Sequence, residues 1–460
     1  MKTVYIYGGT VIDPSQGLEC RADVACTDGK VSEILVRPSA KLTEERIAEA
    51  DLAIDATGKI VSPGFIDIHM HEDDYDPETD VLERNITKCM VRMGVTTAVA
   101  GNCGSNNAQP DLYLDAVDRH GTATNLALMV GHTFLRNQCG GHDKYAPVDD
   151  NVIENMVALG KKYLDAGCFG ISFGVKYIPG TRWEEIIELA KLCCKDGKIV
   201  SSHVRNDVDG VFEACRELAD IGRLAGVKVQ FSHIGSMGGY GQMKKLLEEI
   251  EDYRANGVDM MCDCYPYDAF STEIGATTYD AENFAAYHSD YSHILLCDGP
   301  YAGQRCTEKI FEQMRTERPE TMTVGYFMKQ EEVDMALAKP YVMLGSDGIL
   351  TGDQGHPRAA GAFPRFLRQY AAGEKLSLSD CIAKVTTMAA QRLGLLQKGS
   401  LKPGCDADIV VFDLEQIEDC ATYTQPTLPP KGIDWVLIGG EIAVENGKLI
   451  RDDLGRSVRA

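Results

Sequence analysis

Two histidines separated by one residue end a mostly apolar run near the start of the chain. His69 and His71 close the segment 60–71, whose earlier residues are largely Ile, Val, Phe and Pro. In a β-strand, residues i and i+2 point to the same face, so both imidazoles can converge on one metal ion from the end of the strand. The pattern also fits two histidines at a polar strand end, and the choice between these interpretations depends on the rest of the chain.

Four further potential metal ligands each follow an apolar run elsewhere. They are Cys103, His203, His233 and Asp347. With the histidine pair they supply thiolate, imidazole and carboxylate groups, which are the ligand types that zinc prefers. A thiolate can bridge two zinc ions, although a buried free thiol is the commoner fate of a cysteine. A carboxylate such as Asp347, placed beside a metal, can take the proton of an attacking water and pass it to a leaving amine.

The elements that would position these groups alternate between apolar strands and amphipathic helices. We predict eight buried strands, over residues 60–69, 95–101, 126–131, 169–173, 199–203, 228–233, 259–265 and 341–345. Between strands three and four, residues 151–166 have the apolar periodicity of a helix. Eight strands with intervening helices predict an α/β fold with a (β/α)8 TIM-type barrel, whose active site lies at the carboxyl ends of the strands. All six potential ligands fall at or just beyond those ends.

Both chain ends have a different, strand-rich pattern. Residues 1–60 contain short alternating strands with turn signals, and residues 396–460 return to β structure after the barrel. We predict that the two ends pair into one small β-sandwich domain and that residues 61–395 form the metal-dependent barrel. An insertion at 268–340 separates barrel strands seven and eight. A loop of that length is either a mobile lid or a static excursion.

The bulk composition narrows the class of protein and its partners. Of the 460 residues, 44% are hydrophobic and 25% are charged, and the formal net charge is -23. This acidic balance argues against binding to nucleic acid or to an anionic membrane, because both favour basic patches. The chain lacks an apolar run of the ~20 residues that span a membrane, and its start lacks a signal-peptide pattern. We therefore expect reduced thiols in a cytoplasmic protein, with assembly into a homo-oligomer left open.

Short motifs along most of the chain carry a family resemblance. They are Pro63-Gly64-Phe65-Ile66-Asp67-Ile68-His69-Met70-His71, Gly101-Asn102-Cys103-Gly104, Gly131-His132-Thr133-Phe134-Leu135-Arg136, Tyr177-Ile178-Pro179-Gly180, Ser202-His203-Val204-Arg205-Asn206, Ser232-His233, Tyr265-Pro266-Tyr267, Gly345-Ser346-Asp347 and His356-Pro357-Arg358. With these motifs the chain resembles the amidohydrolase superfamily and, within it, the N-acyl-D-amino-acid deacylase (D-aminoacylase) group. The Gly-Asn-Cys-Gly and His-Pro-Arg segments are the most specific to that group.

The resemblance implies a zinc centre with one tight site and a second, weaker site. In the deacylase group the cysteine and the two later histidines hold the tight metal; here they are Cys103, His203 and His233. The paired histidines and the aspartate hold the weaker metal; here they are His69, His71 and Asp347. The same resemblance implies that Asp347 is the catalytic carboxylate.

One contrast within the superfamily supports this subgroup. Many superfamily members bridge two metals with a carboxylated lysine at the end of strand four. Here the predicted strand 169–173 has no lysine at its end, and Lys176 lies in the following loop. Cys103 would then take the bridging role, as the cysteine of the deacylase group does.

The substrate contacts depart from the group at one position. The group usually has a lysine two residues after the strand-six histidine, where it helps to bind the substrate carboxylate; here that position is Gly235. Other donors must then hold the carboxylate, or the substrate differs. The candidates are Tyr177, Arg205, Tyr265, Ser271 and Arg358, with Lys176 as a displaced charge. Of these Arg358 is the best, because a guanidinium grips a carboxylate with two hydrogen bonds. His132 either orients substrate or supports its loop.

These observations predict a zinc-dependent hydrolase that cleaves the linear amide of a small molecule, an N-acyl-D-amino acid by resemblance. Two alternatives remain. The missing lysine at Gly235 keeps open a cyclic-amide hydrolase of the hydantoinase or dihydropyrimidinase type. A non-catalytic barrel is a third class, but it predicts a damaged ligand set, whereas all six expected ligands are present in this chain.

Overall fold

Eight parallel strands form a closed barrel in the computed structural model, which describes residues 2–195 and 197–460. The strands are, in chain order, Phe65–Asp67, Val95–Ala100, Asn125–Leu128 continued by Val130–Gly131, Gly170–Gly174, Ile199–His203, Lys228–Phe231, Met260–Cys264 and Val342–Leu344. Between strands eight and one, the Asp347 amide donates to the His69 carbonyl over 2.7 Å, and Met70 pairs with Gly348. These contacts close the ring at the end where the predicted ligands lie.

Helices cover the outside of the barrel and fill its connections. They are Asn85–Arg92, Pro110–His120, His132–Gln138, Asp150–Asp165, Trp183–Lys191, Val211–Ala225, Ile234–Gly238, Met243–Ala255, Gln330–Leu337, Arg358–Phe366, Leu378–Val385 and Thr387–Leu393. The helix predicted over 151–166 begins one residue earlier, because the Asp149 carboxylate caps it by accepting from the Val152 amide over 2.9 Å. Within the described residues, none of the helices is both long and apolar enough to cross a membrane.

Strands from both chain ends pair into one ten-stranded sheet beside the barrel. They are Thr3–Tyr7, Thr10–Asp13, Leu18–Thr27, Lys30–Val36, Leu52–Asp55, Ile60–Pro63, Ile409–Phe412, Ile433–Ile438, Glu441–Glu445 and Lys448–Leu449, with the helix Ala40–Glu49 between the fourth and the fifth. The two ends meet where Ile409–Phe412 runs antiparallel to Ile60–Pro63. Val4, Ile6 and Leu437 belong to one buried apolar cluster, so residues from both ends stabilise the sheet.

The strand predicted over 60–69 is two strands in different sheets, which corrects the prediction. Ile60–Pro63 belongs to the ten-stranded sheet, whereas Phe65–Asp67 is barrel strand one. Gly64 lies between them, and a Cβ at this position would lie 2.1 Å from the Thr96 hydroxyl oxygen. Only glycine therefore lets the chain pass from one sheet to the other here. The dipeptide Pro63-Gly64 is a turn signal within this mostly apolar run, and taking the run as one strand overlooked it.

The segment between barrel strands seven and eight has a small sheet and an aromatic core of its own. Its antiparallel strands are Phe270–Glu273, Ile294–Leu296 and Met322–Gly325, and its helices are Ala281–Ala286 and Glu308–Glu317. The rings of Phe270, Tyr279, Phe284 and Phe311 contact one another in this region. Two short hairpins also follow barrel strands one and eight, namely Tyr75–Asp76 with Val81–Leu82 and Leu350–Thr351 with Gln354–Gly355.

Candidate metal centre and active site

Six side chains at the carboxyl ends of the barrel strands form two groups that share one cysteine. The first group is Cys103, His203 and His233, and the second is His69, His71, Cys103 and Asp347. Within each group, one nitrogen, sulfur or oxygen atom from every member lies within 4.8 Å of the others. The Cys103 Sγ lies 3.3 Å from His233 Nε2 and 3.4 Å from His69 Nε2, so the sulfur stands between the groups. The six residues singled out in the sequence therefore meet in space.

Backbone strain accompanies this convergence at three of the six residues. Cys103, His233 and Asp347 have φ values of 52°, 33° and 51°. Residues other than glycine rarely adopt this left-handed conformation, which costs on the order of 1–3 kcal/mol at each position. Such strain persists only where surrounding contacts hold it, and it concentrates at functional sites. Each of the three residues closely follows a strand end, where the turn of the backbone directs its side chain into the barrel mouth.

A buried carboxylate contacts a member of each group. His69 Nδ1 lies 3.1 Å from Asp263 Oδ1, and the same oxygen accepts the His233 amide over 2.7 Å. On the other side of His233, its Nδ1 lies 2.9 Å from the Ser236 hydroxyl oxygen. With Nδ1 engaged, both imidazoles turn Nε2 toward Cys103. Metal-binding histidines are held in this way, with one ring nitrogen on a carboxylate or hydroxyl and the other on the metal.

His203 lies in a different environment. The residue is buried, and neither ring nitrogen has a hydrogen-bond partner within the described part of the chain. Burial, assisted by the charge of His233, lowers the pKa of His203 to about 4. A buried polar atom without a partner costs on the order of 1–3 kcal/mol, so two on one ring indicate a ligand outside the polypeptide. A neutral imidazole is the form that binds a metal.

The cysteine and the aspartate favour their ionised forms. Burial acts to raise the pKa of the Cys103 thiol, but the charges of His69 and His233 outweigh burial and hold that pKa well below its usual value. Burial also acts to raise the pKa of the Asp347 carboxyl, yet the Arg358 guanidinium, 2.9 Å from Oδ2, and the neighbouring histidines hold it well below its usual range. A thiolate, a carboxylate and the neutral imidazole of His203 are forms that bind zinc.

A cavity of about 360 Å³ opens onto both groups. Three of the predicted substrate contacts line it, namely Tyr177, Ser271 and Arg358, and Lys176 lines it as well. The Tyr177 ring lies directly over the first group, with its centroid 4.5 Å from that of His203. The cavity therefore joins the potential metal ligands to hydroxyl and cationic side chains that can orient a small polar molecule.

Comparison with known proteins connects this geometry to a family. The family model described as "Amidohydrolase family" matches residues 321–444. Over 470 aligned residues the chain is 33% identical to D-aminoacylase of Alcaligenes xylosoxydans xylosoxydans, with 94% of this chain and 92% of that protein covered. The chain belongs to the D-aminoacylase family of amidohydrolases. The family predicted from the sequence motifs is thereby confirmed.

Solved structures agree with the fold of this D-aminoacylase family member. N-acyl-D-glutamate deacylase from Bordetella bronchiseptica, solved with zinc and a phosphonate inhibitor, superimposes with a TM-score of 0.86 at 28% identity, covering 100% of both chains. L-hydantoinase from Arthrobacter aurescens superimposes with a TM-score of 0.66 at 19% identity and 100% coverage of both chains, so it shares the fold alone. The predicted α/β fold, a TIM-type barrel with an added β domain, is confirmed.

Arg205 and Tyr265, two predicted substrate contacts, lie outside the cavity lining of this family member. Arg205 pairs with Glu217 of the helix that follows strand five, with 2.7 Å between its Nη2 and a carboxylate oxygen. Tyr265 is fully buried beneath Arg358, whose guanidinium carbon lies 4.6 Å from the ring centroid. Arg205 thus forms an ion pair toward the protein surface, and Tyr265 packs beneath Arg358, which itself lines the cavity.

His132 also lies outside the cavity lining, in a buried ionic cluster. Its Nε2 is 2.6 Å from Glu185 Oε1, and Arg136 Nη1 lies 2.9 Å from both oxygens of the same carboxylate. All three side chains are at most 1% exposed. The cluster ties the helix His132–Gln138 to Trp183–Lys191, so the placement favours loop support over substrate orientation for His132.

Several residues of the site carried no recognised signal in the sequence. The segment after strand seven supplies Phe270 and Tyr287 to the cavity, and the loop after strand five supplies Asp207. These residues lie in no recognised motif, because their place in the site depends on how distant loops pack over the barrel.

Asp263 differs from them, because its sequence context is distinctive. A carboxylate between two cysteines in a buried strand is an unusual arrangement and could have been recognised as a functional residue.

Gly235, where the family usually has a lysine, lies in a filled space. A Cβ at this position would lie 2.9 Å from the Cys264 Sγ and 3.4 Å from the Met328 Cε. Strand seven and the segment that follows it thus occupy the room through which a longer side chain would leave the backbone. A lysine at this position would therefore require the Cys264 side chain to move.

Proposed function

We propose that this chain is a zinc-dependent amidohydrolase that cleaves the linear amide of N-acyl-D-amino acids to a carboxylate and a free D-amino acid. The observation that carries the proposal is the convergence of six metal-binding side chains on a shared Cys103 at the wall of a cavity of about 360 Å³. Family membership supports the substrate class, because the related proteins are named D-aminoacylase and N-acyl-D-glutamate deacylase.

We assign the two groups to a tight zinc site and a second, weaker one. The tight site would be Cys103, His203 and His233, and the weaker site His69, His71 and Asp347 with Cys103 shared. When bound, zinc activates the attacking water and polarises the scissile carbonyl. The part played by the polypeptide is to keep the donors in their binding forms, with Asp263 and Ser236 fixing two of the imidazoles.

Asp347 has the position and the charge of a general base. Its Oδ1 lies 3.2 Å from His71 Nε2, while Oδ2 is held by Arg358. Because the pKa of Asp347 is held well below its usual value, the carboxylate is ionised at neutral pH and can accept a proton. It takes this proton from the attacking water and later passes it to the nitrogen of the leaving amine.

Tyr177, Arg358 and Ser271 are the residues we assign to substrate. Burial, together with the charges of Cys103 and Asp347, raises the pKa of the Tyr177 phenol well above its usual value, so the hydroxyl stays a donor. The Tyr177 hydroxyl lies over the first group, where it is placed to donate to the carbonyl oxygen of the substrate as negative charge develops on that oxygen. Arg358 supplies the cation for the substrate carboxylate. The Ser271 hydroxyl donates to the Thr323 carbonyl over 2.8 Å, which leaves its oxygen free to accept from substrate.

A cyclic-amide hydrolase is the second candidate, and Gly235 is the observation that favours it. Ring opening starts from a substrate without the free carboxylate that the family lysine would bind, so the loss of that lysine matters less. A non-catalytic barrel is disfavoured, because it predicts damage to the ligand set and all six members are present and close together.

A turnover screen of zinc-loaded protein tests the proposal. It pairs N-acetyl-D- with N-acetyl-L-amino acids, adds several hydantoins and dihydropyrimidines, and detects free amine and ring opening separately. Selective release of amine from the D series is the expected result. Ring opening without amine release would replace the substrate class and keep the metal chemistry. Absence of both reactions in protein that holds stoichiometric zinc would overturn the proposed function.

A further inference from the structure

Two of the three lysine and arginine side chains in the cavity wall are ion-paired with a carboxylate that also lines the cavity. Lys176 Nζ lies 2.6 Å from Asp207 Oδ1, and Arg358 lies 2.9 Å from Asp347 Oδ2. The third, Lys144, also lines the cavity and forms no ion pair with a described residue. Lys176 and Arg358 are therefore paired with carboxylates before any substrate arrives.

The Lys176–Asp207 pair is fixed as well as buried. The two side chains are 2% and 7% exposed, and the Tyr287 hydroxyl donates to the second Asp207 oxygen over 2.6 Å. Val208, directly after Asp207, has a φ of 50°, a conformation that a β-branched residue almost never adopts. The contacts around the loop hold that strain, and they hold the Asp207 carboxylate in the wall with it. Separating a buried pair leaves two charges without partners, which is strongly unfavourable.

The proposed reaction already uses one of these cations. The carboxylate common to all N-acyl amino acids takes Arg358, because its partner Asp347 also lies against His69 and His71 and is, in the proposed function, a zinc ligand whose charge the metal offsets. A second carboxylate, in the side chain of a glutamate or aspartate derivative, would need another cation. Lys176 is the most buried one, and an acidic group that approached it would also approach Asp207. Two like charges at such a distance in a buried site repel strongly.

The remaining wall is suited to uncharged groups. Met237, Phe270 and Met322 line the cavity, and so do the rings of Tyr240 and Tyr287. Apolar and aromatic surfaces of this kind stabilise an uncharged side chain by burial, and the two phenol hydroxyls already donate to Asp207 and to the Ser236 carbonyl.

We infer that this chain acts on N-acyl derivatives of neutral D-amino acids in preference to those of D-glutamate and D-aspartate, and that Asp207 is the residue that excludes a second carboxylate. The inference rests on the proposed function and specifies its substrate. It separates this chain from the relative named N-acyl-D-glutamate deacylase, to which it is also similar.

The direct test compares two isosteric substrates, N-acetyl-D-glutamine and N-acetyl-D-glutamate, with zinc-loaded wild-type protein. They differ only in the exchange of an amide NH2 for a charged oxygen, so the ratio of kcat/KM isolates the charge. We expect the glutamine derivative to be favoured by about tenfold or more, since like-charge contacts are strongly discriminated against. N-acetyl-D-methionine serves as the apolar member of the series. Equal kcat/KM values, or a preference for glutamate, would overturn the inference without any variant being made.

Asp207→Asn tests the assigned residue. The variant removes the repelling charge and leaves Lys176 as a surplus cation, so kcat/KM for the glutamate derivative should rise by about tenfold relative to that for glutamine. Asp209→Asn is the matched control, because Asp209 is exposed, lies outside the cavity lining and takes no part in the Lys176–Asp207 ion pair. An unchanged ratio in Asp207→Asn, or an equal change in Asp209→Asn, would remove Asp207 from this role.

The same three substrates distinguish failure of the proposed function from failure of the inference on specificity. If neither isostere nor the methionine derivative releases amine, the proposed function fails. If amine is released from all three but glutamate is the best substrate, the function stands and the inference on specificity is wrong.

Discussion

The Nδ1 atom of His69 lies 3.1 Å from Oδ1 of Asp263, and both side chains are 1% exposed. The same oxygen accepts the His233 amide over 2.7 Å, and Gln230 donates to the other oxygen over 2.9 Å. His69 belongs to one ligand group and His233 to the other. One buried carboxylate on barrel strand seven therefore sets the orientation of a member of each group.

Asp263→Asn should weaken zinc binding. The amide keeps the size of the side chain but cannot match the carboxylate as an acceptor for both His69 and His233. Loss of such a contact behind a ligating histidine lowers metal affinity by roughly 10–100-fold. Competition with a coloured chelator measures this affinity directly. Unchanged affinity at each site would show that Asp263 has a purely structural role.

Cys103→Ser should abolish stoichiometric zinc binding, because the sulfur is the atom that the two groups share. A serine hydroxyl remains protonated at neutral pH and cannot replace the thiolate. Zinc content after gel filtration, measured by mass spectrometry, gives the result. Cys262→Ser is the matched control, since Cys262 is a buried thiol outside both groups. Equal zinc content in the two variants would contradict the bridging assignment.

Asp347→Asn should keep the zinc of the first group and lose most of the turnover. The first group of Cys103, His203 and His233 does not include Asp347, whereas proton transfer by a positioned carboxylate contributes roughly 10²–10⁴-fold to rate. Zinc content and kcat are measured on the same preparation. Near-normal kcat in zinc-loaded Asp347→Asn would exclude this residue as the general base.

Gly235→Ala should destabilise the protein through a local collision. The added Cβ would lie 2.9 Å from the Cys264 Sγ, in a core that has no room to expand. Overpacking of this kind costs about 1–3 kcal/mol in free energy of unfolding. In a Cys264→Ala background the same substitution should cost markedly less, because the colliding sulfur is gone. A double-mutant cycle by urea unfolding gives the coupling, and a coupling of zero would mean that Gly235 is not restricted by Cys264.

Lys384 should make stability depend on pH in the alkaline range. Burial lowers the pKa of Lys384 to about 8 from 10.5, and its ammonium donates to the Val342 carbonyl over 2.7 Å at the start of strand eight. The unfolded chain thus binds more protons than the folded chain between pH 8 and pH 10.5, so the free energy of unfolding rises with pH across that window.

Lys384→Met isolates this effect, because the other titrating groups are common to both proteins. The free energy of unfolding of wild type relative to Lys384→Met should increase by up to roughly 3 kcal/mol between pH 8 and pH 10.5. Urea unfolding at a series of pH values measures the difference. A difference that stays constant, or falls, across the window contradicts the lowered pKa.

Much of the barrel and of the ligand set could be predicted because both follow from short stretches of the sequence. Each strand is a short apolar run. His203 is the last residue of its strand and His233 lies two residues beyond its own, so the strand pattern is enough to place both. The split at Gly64 was missed because the apolar residues on both sides of Pro63-Gly64 were taken as one strand, although that pair is a turn signal. The local pattern does not show that Thr96, from another strand, fills the space that a side chain at residue 64 would need.

The substrate residues were predicted less well for the same reason. A motif can name Arg205 or His132, but whether the side chain reaches the cavity depends on Glu217 and Glu185, which lie on separate helices. The Lys176–Asp207 pair joins two different loops, and Tyr287 reaches it from the segment after strand seven. None of these pairings follows from composition or spacing along the chain.

On the ribosome, the segment that leads into His69 and His71 emerges long before its partner. Ile60–Pro63 pairs on one side with Thr10–Asp13 and on the other with Ile409–Phe412, near the other end of the chain, and Gly64 joins it directly to barrel strand one. Pairing between such distant segments must wait for both of them. The sheet that leads into the histidine pair therefore gains its second neighbour on this side only after Ile409–Phe412 leaves the exit tunnel, so this domain is completed late in synthesis.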